Sequence, residues 1–112
     1  MIDWTQVKTL QNDVGQDSFP EIVEIFIEEV EEVITRLRSS PDPATLGDDL
    51  HFLKGSALNL GFSEFSGMCQ IGETASARGA ADDVDLSALI HSYDQSKNVF
   101  LNELAAQIST AA

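Results

Sequence analysis

The stretch HFLKGSALNLGF, residues 51–62, sets a histidine, a lysine and a glycine close together at His51, Lys54 and Gly55. A solvated imidazole titrates at about 6.5, so near neutral pH most of it carries an unprotonated ring nitrogen. That nitrogen is a nucleophile able to attack phosphorus and form a covalent phosphoimidazole. Lys54, one turn on, can place its ammonium beside the phosphoryl oxygens and offset the charge developing there. Phosphoryl transfer rests above all on positioning and charge neutralisation. A lone histidine with a lysine lacks the metal-binding carboxylates that such a transfer uses, so a partner has to bring them.

The element that carries these residues is a helix over about 43–60, opened by Asp42 and Pro43 and closed by Gly61 as the residue just past its end. At about 100° per residue, Leu46, Leu50, Leu53, Ala57 and Leu60 fall within about 80° of arc and form the core side. His51 falls about 150° from the centre of that arc and points to solvent. Lys54 sits at the border of the core stripe. Gly47 and Gly55 flank the histidine one turn either way, Leu58 lies on the same outer side, and Asp48 lies on the far edge. A solvated face normally carries long polar side chains. Each interior glycine costs about 1 kcal/mol relative to Ala. A bundle gains nothing internally from glycine on its outer side, whereas an approaching partner gains access to the imidazole. Gly47, Gly55, Leu58 and Asp48 are therefore candidates for partner docking.

Four further helices are expected, over about 4–12, 19–38, 64–78 and 86–108. In the first, Asp3 is the N-cap and Trp4, Val7 and Leu10 share a side. The second opens with SFPE, where Ser18 and Glu21 fit a capping box. Its core stripe is Phe19, Ile22, Phe26, Val30, Val33 and Leu37, with Ile27 and Ile34 to one side. Glu21, Glu24, Glu28, Glu31 and Glu32 form a solvated face, and Arg36 and Arg38 suit the dipole of the last turn. Ser63 is expected to cap the fourth helix, on which Phe65, Met68, Gly72 and Ala75 share a face and Cys69 is a small core residue. In the last helix Leu89, Tyr93, Phe100, Leu104 and Ile108 point inward. With short loops, sequential helices become antiparallel neighbours. The expected fold is all-α: an antiparallel up-down-up-down four-helix bundle with a short extra N-terminal helix, residues 1–112 forming a single domain. The tail STAA is expected to fray.

Composition limits the partners. Nineteen acids against six bases give a net charge of −13. Such a chain is repelled by nucleic acid and by anionic membrane surfaces. With 43% hydrophobic residues it still has a core to bury. One cysteine, Cys69, allows no internal disulfide. The N-terminus lacks the basic and apolar regions of a secretory signal, and no apolar run reaches the ~20 residues of a membrane span. The expected location is cytoplasmic. Asp48 and His51 make one acid-x-x-His pair, but a carboxylate-bridged metal bundle needs two. His91 has Ala88 three residues before it and reads as a surface residue, so no metal site is expected. No glycine-rich phosphate loop follows a strand, which argues against a nucleotide-using kinase.

At His51, Lys54, Gly55, Ser56 and Gly61 the chain resembles the histidine-containing phosphotransfer (HPt) domain of bacterial-type multistep phosphorelays, whose core pattern is H-x-x-K-G-[SA] with a glycine a few residues on. FSEFSGMCQIGETASARGA is similar to the family's next helix, with Cys69, Glu73 and Arg78 where such domains often carry Cys, Glu and Arg. IVEIFIEEVEEVITRL is similar to the helix before the histidine helix. The likeness covers about residues 17–105. It departs at Leu50, where Ala is frequent, and at Ala57, where a second Ser is common. The resemblance implies that His51 accepts a phosphoryl group from an aspartate of a receiver domain, or from a kinase, and passes it to another receiver. It implies that Lys54 steadies the phosphoryl group and Gly55 leaves room for the partner. It implies a carrier without turnover of its own and without a cofactor, the Mg²⁺ being supplied by the receiver. Implied partners are response-regulator receiver domains and a sensor or hybrid histidine kinase; a monomer is expected because the recognised face must stay open. The alternative is an interaction module that binds a receiver or kinase without being phosphorylated.

Overall fold

The computed structural model describes residues 2–108, the side chain of Ile108 excepted. The inward position expected of Ile108 and the tail 109–112 lie outside the described residues. Five α-helices follow in order: α1 (Trp4–Val14), α2 (Phe19–Ser39), α3 (Leu46–Leu60), α4 (Ser63–Ala77) and α5 (Leu86–Ile108), with a 3-10 turn at Ala81–Asp83. Among the described residues no strand forms beyond an isolated bridge between Ile2 and Phe62.

Cross-helix pairs give the directions. Glu31 meets Lys97 and Arg38 meets Asp94, so α2 and α5 run antiparallel. His51 meets Glu73 while Lys54 meets Gln70, which makes α3 and α4 antiparallel. The bundle is elongated, 50 × 21 × 21 Å. Its core contains the expected arc of α3, with Leu46, Leu50, Leu53, Ala57 and Leu60 all buried. Phe62, Phe65, Tyr93 and Phe100 form the aromatic centre, where Phe62 meets Phe100 edge-on at 5.3 Å. α1 closes one end, as Trp4 stacks on Phe100 at 5.7 Å and Val7 and Leu10 are buried. Among the described residues no helix is long and apolar enough to cross a membrane.

Several local expectations need correction. Asp42 captures the next amides itself, its Oδ1 accepting from the Ala44 N–H at 2.9 Å and its carbonyl from Thr45 at 3.1 Å. Residues 43–45 are therefore a turn, and α3 starts at Leu46. Ser18 makes no side-chain cap; the Phe19 N–H instead reaches back to the Gly15 carbonyl at 3.0 Å, so a backbone turn leads into α2. Ser63 is the first residue of α4, and Phe62 holds the N-cap position. On α2 the buried set is Phe19, Val23, Val30, Ile34 and Leu37, whereas Ile22, Phe26 and Val33 are half-buried. Ile34, expected to one side of the stripe, is fully buried, and α2 packs against α1, α3 and α5. Asp3 caps α1 as expected, accepting from the Gln6 N–H at 3.2 Å.

Gly61 is required twice over. Its φ of +75° ends α3 in the left-handed region. A Cβ there would also lie 2.5 Å from the Asp3 carbonyl oxygen, and the Asp3 N–H donates to the Gly61 carbonyl at 2.7 Å. The residue that closes the histidine helix therefore also ties down the N-terminal segment.

Candidate functional site

The histidine helix presents its imidazole as the apolar arc requires. With the core leucines turned inward, the His51 side chain is 70% exposed. Its Nδ1 lies 2.7 Å from Glu73 Oε2, across the groove between α3 and α4. The other oxygen of that carboxylate accepts from Lys54 Nζ at 2.7 Å. Lys54 also donates to Gln70 Oε1 at 3.0 Å. Gln70 is oriented in turn by donating Nε2–H to Thr74 Oγ1 at 3.1 Å. One α4 carboxylate thus joins the two candidate residues of α3.

Electrostatics decide which ring nitrogen carries the proton. The hydrogen bond from Lys54 holds the Glu73 carboxyl below its ordinary range; desolvation opposes it, and the bond to His51 adds a lesser effect in the same direction as Lys54. An ionised carboxylate only accepts, so Nδ1 is the protonated nitrogen. In neutral imidazole the free lone pair is then on Nε2. Lys54 has three N–H donors, of which Glu73 and Gln70 take two. The third has no hydrogen-bond partner among the described residues.

Beyond these polar groups the helix face around the imidazole is open, with two exposed apolar side chains. A Cβ built on Gly55 meets nothing within 4 Å. Phe52 is 38% exposed and Leu58 55% exposed on the same helix. Asp48 is exposed beside a cavity of about 250 Å³ that Glu73 and Ser76 also line. Gly47 borders the same cavity but has a closer neighbour than Gly55. A Cβ there would come within 3.3 Å of Ser76 Cβ, so this glycine serves the close approach of α3 to α4. On the other side of His51, Gly55 has no such neighbour. His91 lies on α5, exposed beside a different cavity with Arg38 and Asp94. Asp48 and His51 belong to no group of three potential metal ligands among the described residues.

Glu73 and Gln70 are the residues that sequence reasoning did not place in the site. Glu73 was visible only as a position matching a family likeness. Its spacing from His51 carries no periodic signal, because helix packing brings the two together. Cys69, expected in the core, is fully buried, and burial pushes its thiol up to about 12.

The family model of the Hpt domain matches residues 21–111. The chain belongs to the Hpt domain family. The match spans the bundle from α2 onward and leaves α1 outside it. No curated protein and no solved structure matches the chain. Membership gives a general role in phosphorelay signalling by histidine phosphotransfer, with receiver domains and histidine kinases as the family's partners. Hpt domains are carriers of phosphoryl groups rather than enzymes, and the helical bundle expected of the family is the fold observed.

Proposed function

We propose that this Hpt domain takes a phosphoryl group onto His51 Nε2 from the phosphoaspartate of a receiver domain and returns it to the aspartate of another. The observation that carries the reading is the Glu73 bridge between His51 Nδ1 and Lys54 Nζ. It supports a tautomer with its proton on Nδ1 and Nε2 as the attacking nitrogen, on an exposed side chain with a cation held one turn away.

The step balances as follows. The Nε2 lone pair attacks phosphorus, an N–P bond forms, and the P–O bond to the receiver's aspartate breaks. The electron pair leaves with that aspartate as a carboxylate. Positive charge grows on the ring during attack, and Glu73, bonded to Nδ1–H, stabilises it. Lys54 offsets the negative charge on the phosphoryl oxygens. Mg²⁺ and the acidic pocket are brought by the receiver. Gly55 leaves space for that pocket, Leu58 and Phe52 offer apolar contact, and Asp48 sits at its edge. The reverse reaction uses the same atoms, so the direction of flow follows from which receiver is phosphorylated.

The test is phosphotransfer profiling against the phosphorylated receiver domains of the source organism. At least one receiver should lose its phosphate to this chain. An interaction module without phosphotransfer would instead bind a receiver and leave its phosphate in place.

A further inference from the structure

The two sides of α4 differ in chemistry. Glu73 and Gln70 meet α3 beside His51. Ile71 lies about 160° round the helix from Glu73 and is 73% exposed. Next to it a cavity of about 240 Å³ opens between α4, the 3-10 turn and the start of α5. Met68, Ala75, Val84 and Leu89 give it apolar walls. Gly72 keeps α4 close to its neighbours here, since a Cβ there would meet Leu50 Cδ1 at 2.7 Å and Val84 Cγ1 at 3.4 Å.

The lip of this groove is acidic. Asp83 and Asp85 line it, and Asp82 is exposed on the same turn. Asp85 is held in place because its Oδ1 accepts from the Ala88 N–H at 3.0 Å. Over residues 71–90 the chain carries Glu73, Asp82, Asp83 and Asp85 against Arg78 alone. A large exposed isoleucine at the mouth of an open apolar groove, rimmed by charge, is the form of a docking site. Charge selects the occupant. A second copy of this chain also carries −13 and is repelled from the lip, as are nucleic acid and anionic lipid. A cationic protein segment is attracted.

We infer that this groove docks a basic segment of a partner protein, one aliphatic side chain entering between Ile71 and Leu89 while flanking Lys or Arg side chains meet Asp82 and Asp83. The groove faces away from His51, so it stays open while another domain sits over the imidazole. Docking here holds a partner on the chain without occupying the phosphotransfer face.

The experiment titrates the ¹⁵N-labelled full chain with an amide-capped peptide in which one Leu is flanked by Lys and Arg. Amide shifts should concentrate at Ile71, Gly72, Val84 and Asp85 and saturate. Binding should weaken several-fold as salt shortens the Debye length from ~10 Å at 0.1 M to ~3 Å at 1 M. Replacing the peptide's Leu by Ser, or its bases by Glu, should abolish the localised shifts. Ile71→Glu, at a solvent-facing position, should weaken binding about tenfold while the variant keeps its helical circular dichroism and its acceptance of phosphate. Asp82→Lys with Asp83→Lys should do the same. Absence of saturable binding, shifts scattered over the surface, or binding unchanged in Ile71→Glu overturns the inference. Concentration-dependent shifts at these amides without peptide would put a second copy in the groove and overturn it equally.

Discussion

Replacing Gly55 separates what this residue costs the helix from what it gives a partner. Gly55 lies inside α3, and its φ is not positive. A Cβ there meets no atom within 4 Å, so alanine enters without strain. Intrinsic helix propensity then favours Ala by about 0.8–1.0 kcal/mol. For 112 residues at ~2.1 cal/mol/K each, the unfolding entropy is about 0.24 kcal/mol/K, so Tm should rise by about 4 °C. Gly47→Ala is the contrast, because its Cβ would press on Ser76 Cβ at 3.3 Å and gain less or lose. Function should move the other way. Gly55→Ala should slow transfer from a phosphorylated receiver, and Gly55→Gln should slow it by about tenfold or more through blocked approach. Phosphorylation of His51 by a small donor such as phosphoramidate should be unchanged in both, since such a donor needs no clearing. Calorimetric melting and rapid-quench single turnovers measure the two effects. A lower Tm for Gly55→Ala would contradict the open space beside it. Unimpaired transfer from a receiver in Gly55→Gln would refute the clearing.

Other residues give independent checks. Glu73→Ala should slow phosphotransfer on the order of tenfold, and ring ¹⁵N shifts should show that His51 no longer holds its proton on Nδ1; unchanged shifts would reject the Glu73 role. The depressed Glu73 carboxyl means that its pairing with Lys54 contributes stability above the unfolded value of about 4.3 and loses it as pH falls through the folded one. Urea midpoints of the native chain and Glu73→Gln should therefore differ at pH 7 and converge in acid. Tyr93 is fully buried with its hydroxyl unpartnered, and burial followed by the negative field of Glu31 pushes its pKa up. Tyr93→Phe should be neutral or stabilising by about 1 kcal/mol in denaturant melts. Cys69, buried and with its thiol raised to about 12, should resist iodoacetamide in the native state and react on unfolding.

The histidine helix was legible in the sequence because one arc of leucines fixes its rotation. Once Leu46, Leu50, Leu53, Ala57 and Leu60 turn inward, the 3.6-residue period leaves His51 in solvent and Lys54 at the border. The HPt resemblance added the receiver and kinase partners, and the family match bears out the family and the helical bundle. What periodicity cannot give is the register of one helix against another. That register joins Glu73 to both His51 and Lys54, and it turns Gly47 against Ser76 although its place on the wheel is close to that of His51. Helix starts were misread where a local bond competes with the expected cap. Asp42 binds the amides that would have opened α3 earlier, and Ser18 makes no side-chain cap where the Phe19 N–H bonds the Gly15 carbonyl. On α2, Ile34 is fully buried where several helices pack on one element, which a single wheel does not reveal.

The central claim is that phosphate lands on Nε2 of His51. The chain with ¹⁵N in its histidine rings should be incubated with a phosphorylated receiver domain and examined by ¹⁵N and ³¹P NMR. The account predicts an acid-labile, base-stable phosphate with its phosphorus coupled to His51 Nε2, the proton retained on Nδ1 against Glu73, and no signal from His51→Gln. Phosphate on Nδ1 or on another residue, or equal labelling of His51→Gln, would contradict it.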